Sequence, residues 1–110
     1  MKPTPDATPN QTQVHLQVLK DIANGKHNDL CSPIYAAKIT DVFRQQLRQD
    51  LGESKSFVFL GKEKITRDHF MLDTTADEIF HYKMVLAKRT LYFHFRFNTE
   101  QKIGWISFEE

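Results

Sequence analysis

"LYFHFRFN", Leu91 to Asn98, decides how this chain folds. Leu91, Phe93, Phe95 and Phe97 fall on one side of an extended strand, and Tyr92, His94, Arg96 and Asn98 on the other, because successive strand side chains point to opposite faces. One side is an apolar wall and the other is polar and basic. A strand of this kind belongs in an antiparallel sheet with one face packed and one face open.

The same alternation extends outward from that stretch. In "IFHYKMVLA", residues 79–87, Phe80, Tyr82, Met84 and Leu86 share one side, and Ile79, His81, Lys83 and Val85 the other. Lys88-Arg89 then forms the hairpin tip. Matching the apolar sides pairs Leu86 with Leu91, Met84 with Phe93, Tyr82 with Phe95 and Phe80 with Phe97. A one-residue slip would turn every one of these side chains into water. The opposite face then pairs Val85 with Tyr92, Lys83 with His94 and His81 with Arg96. "IGWISF", residues 103–108, supplies the last strand after the connection Thr99 to Lys102. If Phe93 and Phe95 face Phe108 and Ile106, then Ile103 and Trp105 lie on the outer face; a slip by one buries Trp105 instead. Upstream, "SKSFVFLGKEK" predicts a strand ending near Gly61. Residues 62–78 have no single period. Phe70, Met71 and Leu72 there need burial, and Asp73 to Glu78 suggest a turn.

The first half of the chain has helical spacing. Val14, Val18, Leu19, Ile22 and Ala23 make one stripe, and Asn24-Gly25 supplies a left-handed stop. Ser32-Pro33 is a cap followed by proline, and Tyr35, Ile39, Phe43, Leu47 and Leu51 then repeat every four residues. This region reads as one helix, or as two with a restart at Thr40-Asp41, ending at Gly52. Its outer face, with Arg44, Gln45, Arg48 and Gln49, should be solvated. Residues 1–11, with Pro3, Pro5 and Pro9, read as a flexible linker or tail. The expected organisation is that tail, followed by a single α+β domain over 12–110: N-terminal helices on one face of an antiparallel sheet.

Composition narrows the function classes. The chain has 110 residues, 40% hydrophobic and 26% charged, with a net charge of +1, and one soluble domain accounts for that. There is no basic stripe of the kind that nucleic-acid binding needs. No apolar run approaches the roughly 20 residues of a membrane span. A single cysteine, Cys31, rules out an intrachain disulfide. Cys31 with His27 four residues earlier has the residue types of a thiol–imidazole pair, although a buried structural thiol is the simpler reading. His27, Asp29 and Cys31 lack the paired spacing of a zinc site, and no phosphate-binding or Gly-x-Ser-x-Gly motif is present. No cofactor and no catalytic set are expected.

Helices followed by "LRQDLGESKSFVFLGKE" and "HYKMVLAKRTLYFHFRFNTEQKIGWISF" resemble the cystatin-like, nuclear-transport-factor-two-like superfamily. More narrowly, the chain is similar to small bacterial accessory domains of unknown function found beside serine hydrolases. Tyr82, Phe97-Asn98 and Lys102-Ile103 carry that likeness; the usual Gly before the Lys is absent, and Gln101 stands there. The resemblance implies a curved, cone-shaped sheet around helices, sometimes enclosing a pocket, and an exported or periplasmic setting. Shared fold does not transfer chemistry.

Two functions follow as expectations. In the first, the chain is a non-catalytic accessory or interaction module. It forms a homodimer, or docks on an adjoining enzyme domain, through an outer sheet face built from Tyr92, His94, Arg96, Trp105, Ile103 and His81. Aromatic and Arg-rich composition of this kind suits a protein interface. In the second, Tyr35, Tyr82 and Asp77 line a pocket for a small hydrophobic ligand, with isomerase-like acid–base chemistry implied by the superfamily.

Overall fold

The computed structural model describes residues 9–66 and 76–110. Three helices, α1 (Pro9–Ala23), α2 (Pro33–Lys38) and α3 (Asp41–Glu53), precede four strands, β1 (Ser56–Thr66), β2 (Ala76–Val85), β3 (Thr90–Phe97) and β4 (Ile103–Glu109). The strands form an antiparallel meander in the order β1-β2-β3-β4, with the helices on one face, so the fold is α+β.

α1 starts at Pro9, earlier than the expected end of the tail at residue 11, because proline at a helix start gives up an N–H that would have had no partner. The rest of that tail, residues 1–8, lies outside the described residues, as do His69, Phe70, Met71, Leu72 and Asp73. Gly25, with φ of +71°, stops α1. The second helical region is two helices. Ser32 Oγ accepts from Tyr35 N, Thr40 Oγ1 accepts from Phe43 N, and Ile39 between them is extended. Each helix start thus has a side-chain cap for its orphan amides. α3 runs through Gly52 to Glu53. Arg44 and Arg48 on α3 do more than meet solvent: they donate to the carbonyls of Ile22 (2.9 Å) and Ala23 (2.7 Å) at the end of α1. Two cations there bond carbonyls of the last turn, one of which, Ile22 O, also accepts from Gly25 N, and oppose the negative end of the helix dipole.

Val18, Leu19 and Ile22 of α1 and Leu47 of α3 pack on Tyr82, Met84, Leu91, Phe93, Phe95 and Ile106 of the sheet. Val14, placed on the stripe by spacing, is 48% exposed, and His15 takes the inward position.

The β2–β3 register differs from expectation by two residues. Met84 faces Leu91, Tyr82 faces Phe93, Phe80 faces Phe95 and His81 faces His94. An even shift leaves every side chain on its own face, so apolar matching could not tell the two registers apart. The turn does. Leu86 N donates to Arg89 O at 2.8 Å, which makes Ala87-Lys88 the tip. Arg89 then reaches Asp50 of α3 at 2.8 Å and Glu110 at 2.7 Å. Asp50 is wholly buried; Gln46 also donates to its Oδ1, and its Oδ2 has no partner.

β1 continues past Gly61 to Thr66. The register shifts between Phe59 and Gly61, and Gly61 has φ of +154°, a conformation that L side chains rarely adopt. This bulge makes Leu60 the extra residue and replaces Phe by Lys62 on the inner side. A second shift lies between Arg96 and Phe97. It turns Ile103 into the core, where it is fully buried, and overturns its expected place on the outer face. Ile103 N donates to Leu30 O (2.6 Å) and its carbonyl accepts from Ser32 N (2.9 Å), so the α1–α2 connection covers the start of this edge strand.

In the β3–β4 turn, Asn98 Oδ1 accepts from Glu100 N and Lys102 N, and Gln101 sits at φ of +63°. Left-handed backbone strains a residue with a Cβ. Gln101→Gly is expected to raise stability by about 0.5–1 kcal/mol, measured as a higher urea midpoint at unchanged m-value. Arg89→Ala strands the buried Asp50 carboxylate. It should lower the melting temperature, and adding Asp50→Asn should recover most of the loss; no recovery would show that Arg89 acts through the turn alone.

Candidate functional site: the open sheet face and the inner cleft

The alternation of the strands builds two distinct surfaces. On the open face, Trp105 is 51% exposed and pairs in register with Arg96. Tyr92 stands on the same face four residues before Arg96 on β3, and Val58 and Leu60 add exposed apolar area on β1. The expected outer-face residues Tyr92, His94, Arg96, Trp105 and His81 therefore do share one surface; Ile103 does not. Trp105 also meets Tyr35 of α2 edge-on, with ring centroids 5.5 Å apart, above a groove of about 230 Å³ lined by Ile39, Phe43 and Lys38. Tyr35 thus belongs to the β4 edge, apart from Tyr82. Burial raises its hydroxyl to about 12, with the Cys31 thiol adding to the effect and a backbone hydrogen bond with Ile106 opposing it.

Four side chains cross the open face in one line. Glu63 Oε1 lies 2.8 Å from His81 Nε2, His81 Nδ1 lies 2.8 Å from His94 Nδ1, and His94 Nε2 lies 3.1 Å from Glu109 Oε2. One residue comes from each strand, so the row ties together all four. It exists because His81 faces His94, and that follows from the two-residue register shift.

The second surface is a cleft of about 710 Å³ on the inner side. Its lining includes Val14, His15, Leu30, Phe80 and Phe97, with Lys62 and Glu78 among its charged residues. Lys62 lies 3.8 Å from Glu78 and 5.5 Å from the centre of the Phe80 ring. His15, only 4% exposed, is the residue that sequence reasoning missed. Its Nδ1 is hydrogen-bonded to the hydroxyl of the fully buried Tyr82, and its ring packs among Phe80, Phe95 and Phe97. Burial lowers His15 to about 4, so the imidazole is neutral at pH 7, and burial pushes the Tyr82 hydroxyl well above its ordinary value. A signal did exist: His15 lies three, four and seven residues before Val18, Leu19 and Ile22, on the inward stripe. The Asp77 side chain lies outside the described residues, although its backbone pairs with Ile65.

The remaining candidates separate. Cys31 is buried, and burial, then the charge of Asp21, raises its thiol, which opposes a reactive thiolate. His27 is exposed and bonds Asp29 at 2.8 Å. Among the described residues there is no group of three metal-ligating side chains and no helix long and apolar enough to cross a membrane. No protein-family model, curated protein or solved structure matches this chain.

His15 gives a pH dependence of known sign. Its value falls from 6.5 when unfolded to about 4 when folded, so between those limits the unfolded chain binds the extra proton. Stability from this group is full above pH 6.5 and falls as pH drops toward 4, by about 3 kcal/mol in all. His15→Gln, compared with wild type in urea melts at pH 7 and pH 4.5, should lose less stability on acidification; equal losses would place the sensitivity elsewhere.

Proposed function

We propose that the chain is a non-catalytic interaction module that pairs with a second copy of itself through the open face of the sheet. The observation that carries this reading is the half-exposed Trp105 with Tyr92, Val58 and Leu60 on the side of the sheet away from the packed core, where Trp105 meets Tyr35 of α2 at the β4 edge. Antiparallel sheets tolerate an open polar face, whereas aromatic and aliphatic side chains interleaved with charged ones have the composition of a protein interface. The face carries Glu63 and Glu109 together with Lys83 and Arg96. A twofold pairing sets the same patch of each copy against itself, so the exposed side chains of both copies are covered at once. The sequence resemblance to the cystatin-like superfamily, many members of which act as dimerising or ligand-holding modules, favours the same reading. An adjoining enzyme domain is the other partner this face suits.

The inner cleft favours a second reading, a small hydrophobic ligand held beside the His15–Tyr82 pair. His15 lines the cleft and the wholly buried Tyr82 is hydrogen-bonded to it from behind, so a neutral imidazole backed by a phenol could accept a proton from a bound ligand, the general-base role that an isomerase uses. A native mass spectrum carrying a discrete extra mass that His15→Phe abolishes would support this reading over the first.

Sedimentation velocity tests the main reading. Wild type is expected to reach a dimer at micromolar concentration, and Trp105→Asp, folded by circular dichroism, to sediment as a monomer with at least tenfold weaker association. A Trp105→Asp variant that keeps the wild-type assembly state removes this face as the interface.

A further inference from the structure

Hydrogen-bond arithmetic along the four-residue row leads to a regulatory device on the open face. The row has three hydrogen-bonded gaps, Glu63–His81, His81–His94 and His94–Glu109, at 2.8, 2.8 and 3.1 Å. Ionised carboxylates only accept, so each gap must be filled by an imidazole N–H. Two neutral imidazoles bring one N–H each, two in total, and leave one gap empty. Three protons on the four ring nitrogens fill all three gaps, with one N–H on each Nε2 and one shared between the facing Nδ1 atoms. A fourth proton would set two N–H groups against each other across the 2.8 Å gap and break the central bond.

The charges around the pair reinforce this count. Glu63 from β1 and Glu109 from β4 flank it and stabilise one added positive charge. Lys83 from β2 and Arg96 from β3 share its face and oppose a second. Tyr92 and Ser107 add no charge, Gly61 opposite His81 has no side chain, and the helices lie across the other side of the sheet. Both imidazole side chains are more than a quarter exposed, so protons can enter from water.

We propose that the Glu63–His81–His94–Glu109 row is a proton-set latch: it closes across all four strands when the histidine pair holds one added proton, and it opens when that proton leaves or a second arrives. Resting on the docking reading above, the closed row presents a flat, fixed surface beside Trp105. The open row turns a bare carboxylate or an extra imidazolium toward the partner, which must then be desolvated. Docking is therefore strongest while the pair holds one added proton, and weaker at pH values on both sides.

The test uses the full chain labelled with nitrogen-15. Long-range proton–nitrogen spectra of the histidine rings are recorded from pH 4.5 to 8.5, beside sedimentation velocity in the same buffers, for wild type, His94→Gln and Trp105→Asp. The expected result is a nitrogen–nitrogen coupling between the two Nδ1 atoms and two separated titration steps, both preserved in Trp105→Asp. The wild-type association constant should peak between the steps and fall at least threefold on either side, and His94→Gln should flatten that profile to less than twofold. Rings that each titrate in one step, with His81 unchanged by His94→Gln, overturn the latch. A shared proton in a chain that stays monomeric at every pH supports the latch and overturns the docking reading, so the two failures are distinguishable.

Discussion

The inward row of the meander is the constraint on which the rest depends. Tyr82, Met84, Leu91, Phe93 and Phe95 are all buried to 1% exposure or less. Each such side chain contributes about 1.5–3 kcal/mol when taken from water. They can be buried only if α1 lies across that face, and Val18, Leu19 and Ile22 supply the surface that meets them. With one side committed to the core, the strand period of two fixes what the other side must show. The open face and its histidines are thus a geometric consequence of the packed one.

A chain of smaller decisions links the helices to that open face. Asp50 is buried on α3 and holds Arg89 at the end of the β2–β3 turn. That turn sets the register, the register puts His81 opposite His94, and the terminal glutamates of the row then come within reach from the two edge strands. A buried carboxylate some distance from the surface thereby takes part in building a surface feature. A buried ion pair is a weak source of net stability; this one joins α3 to the turn that carries the observed register, one of two that hydrophobic burial scores equally.

The two β-bulges act differently from each other. The one at Gly61 replaces apolar side chains by Lys62 on the inner side and so gives the cleft a charged wall beside His15. The one after Arg96 draws Ile103 inward and fastens the start of β4 to Leu30 and Ser32, leaving Trp105 outside. Each changes the face of a few residues without disturbing the rest of its strand. His15 shows the inner side's tolerance for polarity: a neutral imidazole bonded to Tyr82 and boxed by aromatic rings leaves no charge to solvate.

The sequence by itself determined the class and the facing. Alternation over 79–87 and 91–98, helical spacing over the first half, and the caps at Ser32 and Thr40 led to helices followed by an antiparallel meander. They also placed Tyr92, His94, Arg96 and His81 together on one face, with Trp105 joining them in one of two registers of the last strand. Period and propensity are local properties, legible within a few residues. Tertiary structure alone decided the two-residue register, the inward turn of Ile103, the separation of Tyr35 from Tyr82, and the burial of His15. An even register shift preserves every face, and a bulge changes a face through one extra residue with no mark in the hydrophobic pattern. The pairing of His81 with His94 belongs to this second group: it follows from the tip at Ala87-Lys88, beside which Arg89 meets Asp50, 39 residues away in the chain.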